Sequence, residues 1–325
     1  MKLLKYLAGT ALACLSITGP NVMAQSTYPA QPVRIVVPWP PGGSADPFAR
    51  LMASELDKKW GKPVVVENKP GANAMIGTAQ VARAQPDGYT LLAALGNHTM
   101  NPAMYRSMQF DTGTAFQPIA LMALAPNILV VRNNFPAKDF ETFIAELKKN
   151  PGKYSYASSG KGGTPHVAGA LFEKQAGVKL LHVPYKGAGP AMTDLLSGTV
   201  DMSFATLSSA LPHIHAGKIR ALAITHDARV PQLPDLPTLD ELGVADVHVS
   251  TWYGFMGPAG MPKDVVRKIE SDLKEISEQK AVQDNLRDSL GSVKIFEDSE
   301  KFDKRIQDEL VHWKDVVKQT GITMD

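Results

Sequence analysis

The stretch Val33-Arg34-Ile35-Val36-Val37-Pro38-Trp39-Pro40-Pro41-Gly42-Gly43-Ser44-Ala45-Asp46-Pro47 decides how the chain is read. Five residues with the make-up of a buried strand run into a stiff, glycine-containing turn, and the turn opens a helix. The helix is expected from Pro47 to Trp60, with Gly61 ending it. Asp46 stands where a cap would stand, and Pro47 suits a first helical position because its missing N–H would have no partner there anyway. A strand that feeds a helix through such a turn is the elementary unit of α/β folds.

The unit recurs along the chain. Strands are expected at Val64 to Glu67, Thr90 to Ala94, Ile128 to Val131, Tyr154 to Ala157, Leu180 to Val183, Val200 to Phe204 and Arg220 to Thr225. Helices are expected at Met75 to Ala84, Lys138 to Lys149, Pro165 to Gln175, Ala188 to Leu196 and Ser208 to Ala216, then from Pro262 to Leu290 and Ser299 to Gln319. This pattern gives an α/β chain with two doubly wound sheets. The segment 252–325 is too helical to form a unit alone and is expected to return to the first. The organisation predicted is 25–122 plus 252–325 as one domain and 123–251 as the other. Chain crossings near Leu121 to Ala125 and near Val249 to Phe255 would form a hinge. Ligands of open α/β sheets sit beyond the carboxyl ends of the strands, so two facing domains make a cleft.

Residues 1–24 read as a secretory leader. Lys2 and Lys5 precede an apolar run, Leu7 to Ile17, and Val22-Met23-Ala24 offers small residues for cleavage after Ala24. The run is shorter than the ~20 residues a spanning helix needs. Cys14 sits in mid-run, which disfavours a lipid-anchored cysteine. Cleavage removes this only cysteine, so no disulfide, thiolate or cysteine metal ligand is expected in the mature chain. It also leaves 32 basic and 32 acidic residues. A neutral chain has no global field to hold nucleic acid or an anionic membrane, so any anion must be held by local groups.

Three strand-to-helix loops supply such groups. The first contributes Trp39, Gly42, Gly43, Ser44 and Asp46. The second is Ser158-Ser159-Gly160-Lys161-Gly162-Gly163-Thr164-Pro165-His166, and the third Pro184-Tyr185-Lys186-Gly187-Ala188-Gly189-Pro190. A helix N-terminus presents unpaired N–H groups and a partial positive charge, so it binds anions without a basic residue. A fourth stretch, Gly96 to Pro102, is read as a loop bringing Asn97 and His98. Asp201, at a strand start, either orders neighbouring loops or touches the ligand. Trp39 and Tyr185 are read as cleft walls. Lys161 and Lys186 either pair with a carboxylate or remain solvated, and His166 is as well suited to a structural part as to a ligand contact.

At these residues the sequence resembles the Bug family, the TctC-like receptors of tripartite tricarboxylate transporters. The resemblance runs from Pro38 to Asp46 through Glu67 to Ala72, Pro86 to Thr90, Asn101 to Tyr105, Val183 to Gly187, Gly198 to Phe204, Leu233 to Thr238 and Trp252 to Gly260. It implies a type II-like, two-domain periplasmic binding-protein fold that closes on a small di-, tri- or aromatic carboxylate. It also implies the transporter's membrane subunits as partners. A monomer without cofactor or metal is expected. The chain departs from the family at Ala170, where Glu is common, and at Gly96-Asn97-His98, where a Ser/Thr-rich run is usual.

Other functions compete. A binding protein of this shape can present its ligand to a sensor kinase instead of a permease. Ser158 and Lys161 match the Ser-x-x-Lys spacing of acyl enzymes, but that chemistry needs both on one helical turn, and the glycines around Lys161 favour a loop. His213-Ile214-His215 lacks a further ligand at a sensible spacing for a metal.

Overall fold

A computed structural model of the chain describes residues 28–41 and 44–324. The leader, its cleavage site, and Gly42 and Gly43 lie outside the described residues. The elements run β1 (Val33–Val37), α1 (Ala45–Trp60), β2 (Val64–Asn68), α2 (Met75–Ala82), β3 (Thr90–Leu95), α3 (Asn97–Met104) and β4 (Phe116–Arg132). The second sheet's units follow as α4 (Phe140–Lys149), β5 (Ser155–Ser158), α5 (Thr164–Ala176), β6 (Leu181–Pro184), α6 (Ala188–Ser197), β7 (Met202–Thr206), α7 (Leu207–His215) and β8 (Ile219–Ile224). The chain then returns through β9 (Ser250–Pro258), α8 (Lys263–Glu278), α9 (Lys280–Asp288), β10 (Val293–Glu297) and α10 (Ser299–Thr320).

Two sheets share one strand. The first has the order β2-β1-β3-β9-β4-β10, with β1, β2 and β3 parallel and β9 and β10 antiparallel to their neighbours. The second has the order β6-β5-β7-β4-β8, with β5, β6 and β7 parallel. Helices cover both faces of each. On the first sheet Phe48, Met52 and Leu56 of α1 meet Ile269 and Leu273 of α8, while Phe302 and Ile306 of α10 pack with Val36, Leu92 and Trp252 on the other side. On the second, Phe143, Val167 and Phe172 fill one face and Ala191, Leu195 and Leu211 the other. Apolar burial at about 25 cal/mol per Å² makes these layers the main source of stability.

Five elements depart from the expected pattern. β4 is 17 residues long and passes from one sheet into the other, where only Ile128 to Val131 was expected as strand. Its first half carries Pro118 and two register shifts beside β9, with Pro126 where it enters the second sheet, and such bulges interrupt the alternation that marks a strand. Gly96 to Pro102 is not a loop: Asn97 onward forms α3, which buries Met100 and Met104, one turn apart, in the second core. The run Pro262 to Leu290 is two helices, broken where Gln279 turns extended. Neither β9 nor β10 was anticipated as a strand. The C-terminal segment divides its packing, since Trp313 and Val316 of α10 join the second core while Phe302 and Ile306 stay on the first.

Candidate functional site

The first loop is braced from behind. α1 begins at Ala45, so Asp46 lies inside its first turn and does not cap it. Arg50 Nε contacts both Asp46 carboxylate oxygens at 3.1 Å, and Asn68 Nδ2 donates to Asp46 Oδ1 at 2.9 Å. Asn68 also donates to the Trp39 carbonyl at 3.1 Å, which ties the end of β1 to the start of α1. Asp46 is buried, so this pairing answers a charge that would otherwise be costly to desolvate. Trp39 is half-buried against the first core. Ser44 lies beside the fully buried Tyr253 hydroxyl of β9 without completing a hydrogen bond to it. Burial pushes that phenol up to about 12.

The second loop is braced from within. Ser158 ends β5 fully buried, with its hydroxyl 2.7 Å from His182 Nε2 and 3.1 Å from the Gly160 carbonyl. Gly160 and Gly162 hold positive φ, +139° and +72°, which only glycine adopts without strain. Gly162 N–H donates to His166 Nδ1 at 3.1 Å. The His166 and His182 rings stack at 3.9 Å and 8°, and Tyr156 lies against His182 at 4.8 Å and 27°. Burial, then their mutual repulsion and Lys161, holds His166 down to about 4; burial and Lys161 do the same for His182. Thr164, first residue of α5, is buried and its Oγ1 lies 3.2 Å from Thr251 Oγ1.

The third loop is joined to the second. Tyr185 N–H donates to the Ser158 carbonyl at 3.0 Å and Gly187 N–H to the Ser159 carbonyl at 3.2 Å. Tyr185 Oη donates to Asp194 Oδ2 at 2.6 Å, which fixes its ring on α6. Ala188 opens α6, and Lys186 is exposed beside it.

These contacts bring two helix starts to one strand. Ser44 at α1 reaches Tyr253, and Thr164 at α5 reaches Thr251. Residues two apart on a strand point to the same face, roughly 7 Å from each other. Ser44, Ser159, Gly163, Thr164, Lys186, Gly187 and Ala188 therefore belong to one convergent set of loops. At the α5 start His166 and Val167 N–H already donate to the Gly163 carbonyl and Pro165 has no N–H, so Thr164 supplies the amide left for a ligand there, beside the first-turn amides of α6.

Other residues read from the sequence lie elsewhere. His98 is buried between Phe110 and Phe116, held down to about 4 by burial alone. Its Nε2 has no partner among the described residues. With Asn97 it lines a small cavity of about 10 Å³, room for a single water. Asp201 precedes β7, at the opposite ends of the second sheet's strands from the loops. It accepts from Ser155 N–H at 2.9 Å and pairs with Arg132 at 3.0 Å, an ordering part. Tyr253, Thr251, His182 and Asn68 were not singled out from the sequence. All four lie in strands, where a polar residue is ordinarily read as part of the alternating pattern, and only Tyr253 and Asn68 fall within stretches that carried the family resemblance.

Acyl-transfer chemistry finds little support in this arrangement. Ser158 ends a strand, so Lys161 is not one helical turn away, and Lys161 is exposed. The Ser158–His182 contact has nucleophile–base distance, yet the serine has no exposed surface, and His182 is flanked by two rings instead of a carboxylate.

A family model described as tripartite tricarboxylate transporter family receptor matches residues 48–322. Protein BugT of Bordetella pertussis is 32% identical over 315 residues, covering 96% of this chain and 96% of BugT. Among solved structures, an R. palustris protein with adipate superposes with a TM-score of 0.82 at 30% identity, covering 91% of this chain and 99% of the other. MatC from Rhodopseudomonas palustris, with bound malate, superposes with a TM-score of 0.77 at 30% identity, covering 89% and 100%. The loops that the structure gathers on β9 thus sit in a chain that matches these receptors almost from end to end, and it belongs to the tripartite tricarboxylate transporter receptor family.

Proposed function

We propose that this chain is an exported periplasmic receptor that captures a small carboxylate between two units and delivers it to the membrane subunits of a tripartite tricarboxylate transporter. The units are 25–122 plus 252–325 and 123–251, and they close on the ligand by bending where β4 and β9 cross. The observation that carries the reading is the convergence of the α1 and α5 starts on Tyr253 and Thr251 of one strand. A buried hydroxyl with no partner among the described residues, Tyr253 Oη, marks a place where a ligand oxygen would be welcome.

Ser44, Ser159, Gly163, Thr164, Gly187 and Ala188 are the proposed contacts, joined by Gly42 and Gly43. Trp39 and Tyr185 wall the site. Hydrogen bonds to a charged group contribute ~1.5–3 kcal/mol each. Four of them, offset by lost motional freedom, reach the ~8 kcal/mol of micromolar binding without any covalent step. Adipate and malate, carried by two relatives, are the first ligands to try. No helix among the described residues is long and apolar enough to cross a membrane.

The test is a thermal-shift and calorimetry screen of di-, tri- and aromatic carboxylates on mature protein purified from the periplasm. A binder should raise Tm by mass action and be recovered unchanged. Intact mass should place the first residue at Gln25. Steady chemical conversion of the ligand, or no binding across the whole panel, would remove the proposal.

A further inference from the structure

Two histidines, His166 in the second loop and His182 of β6 beneath it, are not themselves required for the capture of a carboxylate. Gly162 is their point of action. Its N–H donates to His166 Nδ1 at 3.1 Å, so that nitrogen must be an unprotonated acceptor and the proton of the neutral ring sits on Nε2. A Cβ at Gly162 would meet Met324 Sδ at 2.8 Å and Met104 Sδ at 3.0 Å, so the residue is already pressed between α3 and the C-terminal tail. The remaining freedom of the loop is taken up by His166.

His182 supports this from below. If its Nε2–H donates to Ser158 Oγ, that hydroxyl can donate to the Gly160 carbonyl and accept from Gly160 N–H at 3.3 Å. The Ser158 hydroxyl and the Gly160 N–H then each have a partner. The groups facing His166 are His182 from β6, Tyr156 from β5 and Lys161 from the loop itself. Of these, His182 and Lys161 oppose a second positive charge. Tyr156 donates to the His166 carbonyl at 3.4 Å. A proton on His166 Nδ1 would set two donors against each other at Gly162, whereas a proton on His182 would leave its bond to Ser158 intact.

We propose that His166 is the positioning residue of the second loop, its neutral Nδ1 holding Gly162 so that the Thr164 amide and hydroxyl at the α5 start keep the place that receives a carboxylate. The effect on affinity rests on the receptor function proposed above; the effect on loop shape does not. Asn at this position carries an amide oxygen close to where Nδ1 sits and does not titrate. Phe keeps the stacking and loses the acceptor.

The experiment compares the mature chain with His166→Asn and His166→Phe, reading the hydrogen-exchange protection factor of the Gly162 amide by NMR at pH 7 and pH 4, with adipate and malate titrated into each. The parent should show protection at pH 7 that falls at least tenfold at pH 4. His166→Asn should keep its protection at both, and His166→Phe should lose it at both. Carboxylate affinity should follow the same order, with the ligand's own titration cancelling in the ratio of parent to His166→Asn. Equal protection in parent and His166→Phe, or an equal pH response in parent and His166→Asn, would overturn the proposal. If His166→Phe does not fold, the parent and His166→Asn comparison still decides. Protection that behaves as expected with no carboxylate bound would uphold the loop inference and refute the receptor function.

Discussion

At the start of α1 a buried carboxylate, Asp46, is held by Arg50 and Asn68, so the first loop is fixed by charge pairing behind it. At the start of α5 the loop is fixed by two uncharged imidazoles, His166 within it and His182 of β6. Both loops arrive at the same strand, yet they respond to different variables. An ion pair with one exposed partner weakens with salt and contributes modestly, whereas a neutral buried imidazole fails when it is protonated. Acid should therefore act on the second loop and salt on the first.

The largest expected effect is on stability in acid. His98, His166 and His182 each have a folded pKa of about 4, below the ordinary 6.5. As pH falls, the unfolded chain takes up these protons first. The stability of the neutral forms is fully present above about 6.5 and is lost as pH falls towards 4. Denaturant titrations at pH 7 and pH 4.5 should differ by about 3–5 kcal/mol, most of it from fully buried His98, because solvent screens the half-buried His166 and His182. His166→Asn should flatten part of that slope, while Arg50→Ala should leave it unchanged. An unchanged midpoint in the parent would contradict the neutral-histidine account.

Next in size is Gly162→Val. A side chain there meets positive φ and two thioethers, so the second loop should be displaced and carboxylate affinity should fall more than a hundredfold. Thr164→Val keeps shape and removes one hydroxyl. Calorimetry should show a ten- to hundredfold loss, ~1.5–3 kcal/mol, with Tm of the free protein little changed. Tyr253→Phe sharpens the comparison because its hydroxyl is buried without a partner. Removing it should raise the stability of the free protein by about 1 kcal/mol and still weaken carboxylate binding. A variant that lowers both would show the hydroxyl to be structural.

The smallest effect belongs to the first loop's brace. Arg50 is half exposed, so Arg50→Ala should cost about 0.5–1 kcal/mol at low salt and less at high salt.

The strand-turn-helix units were legible because buried parallel strands read as short apolar runs bounded by Gly and Pro, as at Val33 to Gly61. The three loops were legible for the same reason. What the sequence hid was the long-range part. β4 was obscured by Pro118 and Pro126 and by two register shifts between Pro118 and Ala123 that break the alternation. α3 was obscured by Gly96 and Pro102, whose turn signal outweighed the Met100 and Met104 pair that buries in the other core. Asp46 read as a cap because spacing alone cannot show Arg50 and Asn68 closing on it. Tyr253, Thr251 and His182 acquire their parts only when strands distant in sequence become neighbours, and no local periodicity encodes that.

The central claim is that one carboxylate ligand is held between the α1 and α5 starts against β9. A crystal structure of the mature chain with the best carboxylate from the panel tests it most directly. The account predicts ligand oxygens within hydrogen-bond reach of Ser44 or Tyr253 on one side and of Thr164 or Thr251 on the other. A ligand found instead in the open groove of about 510 Å³ between Ile214, Arg220 and Leu233, on the far side of the second sheet, would contradict it.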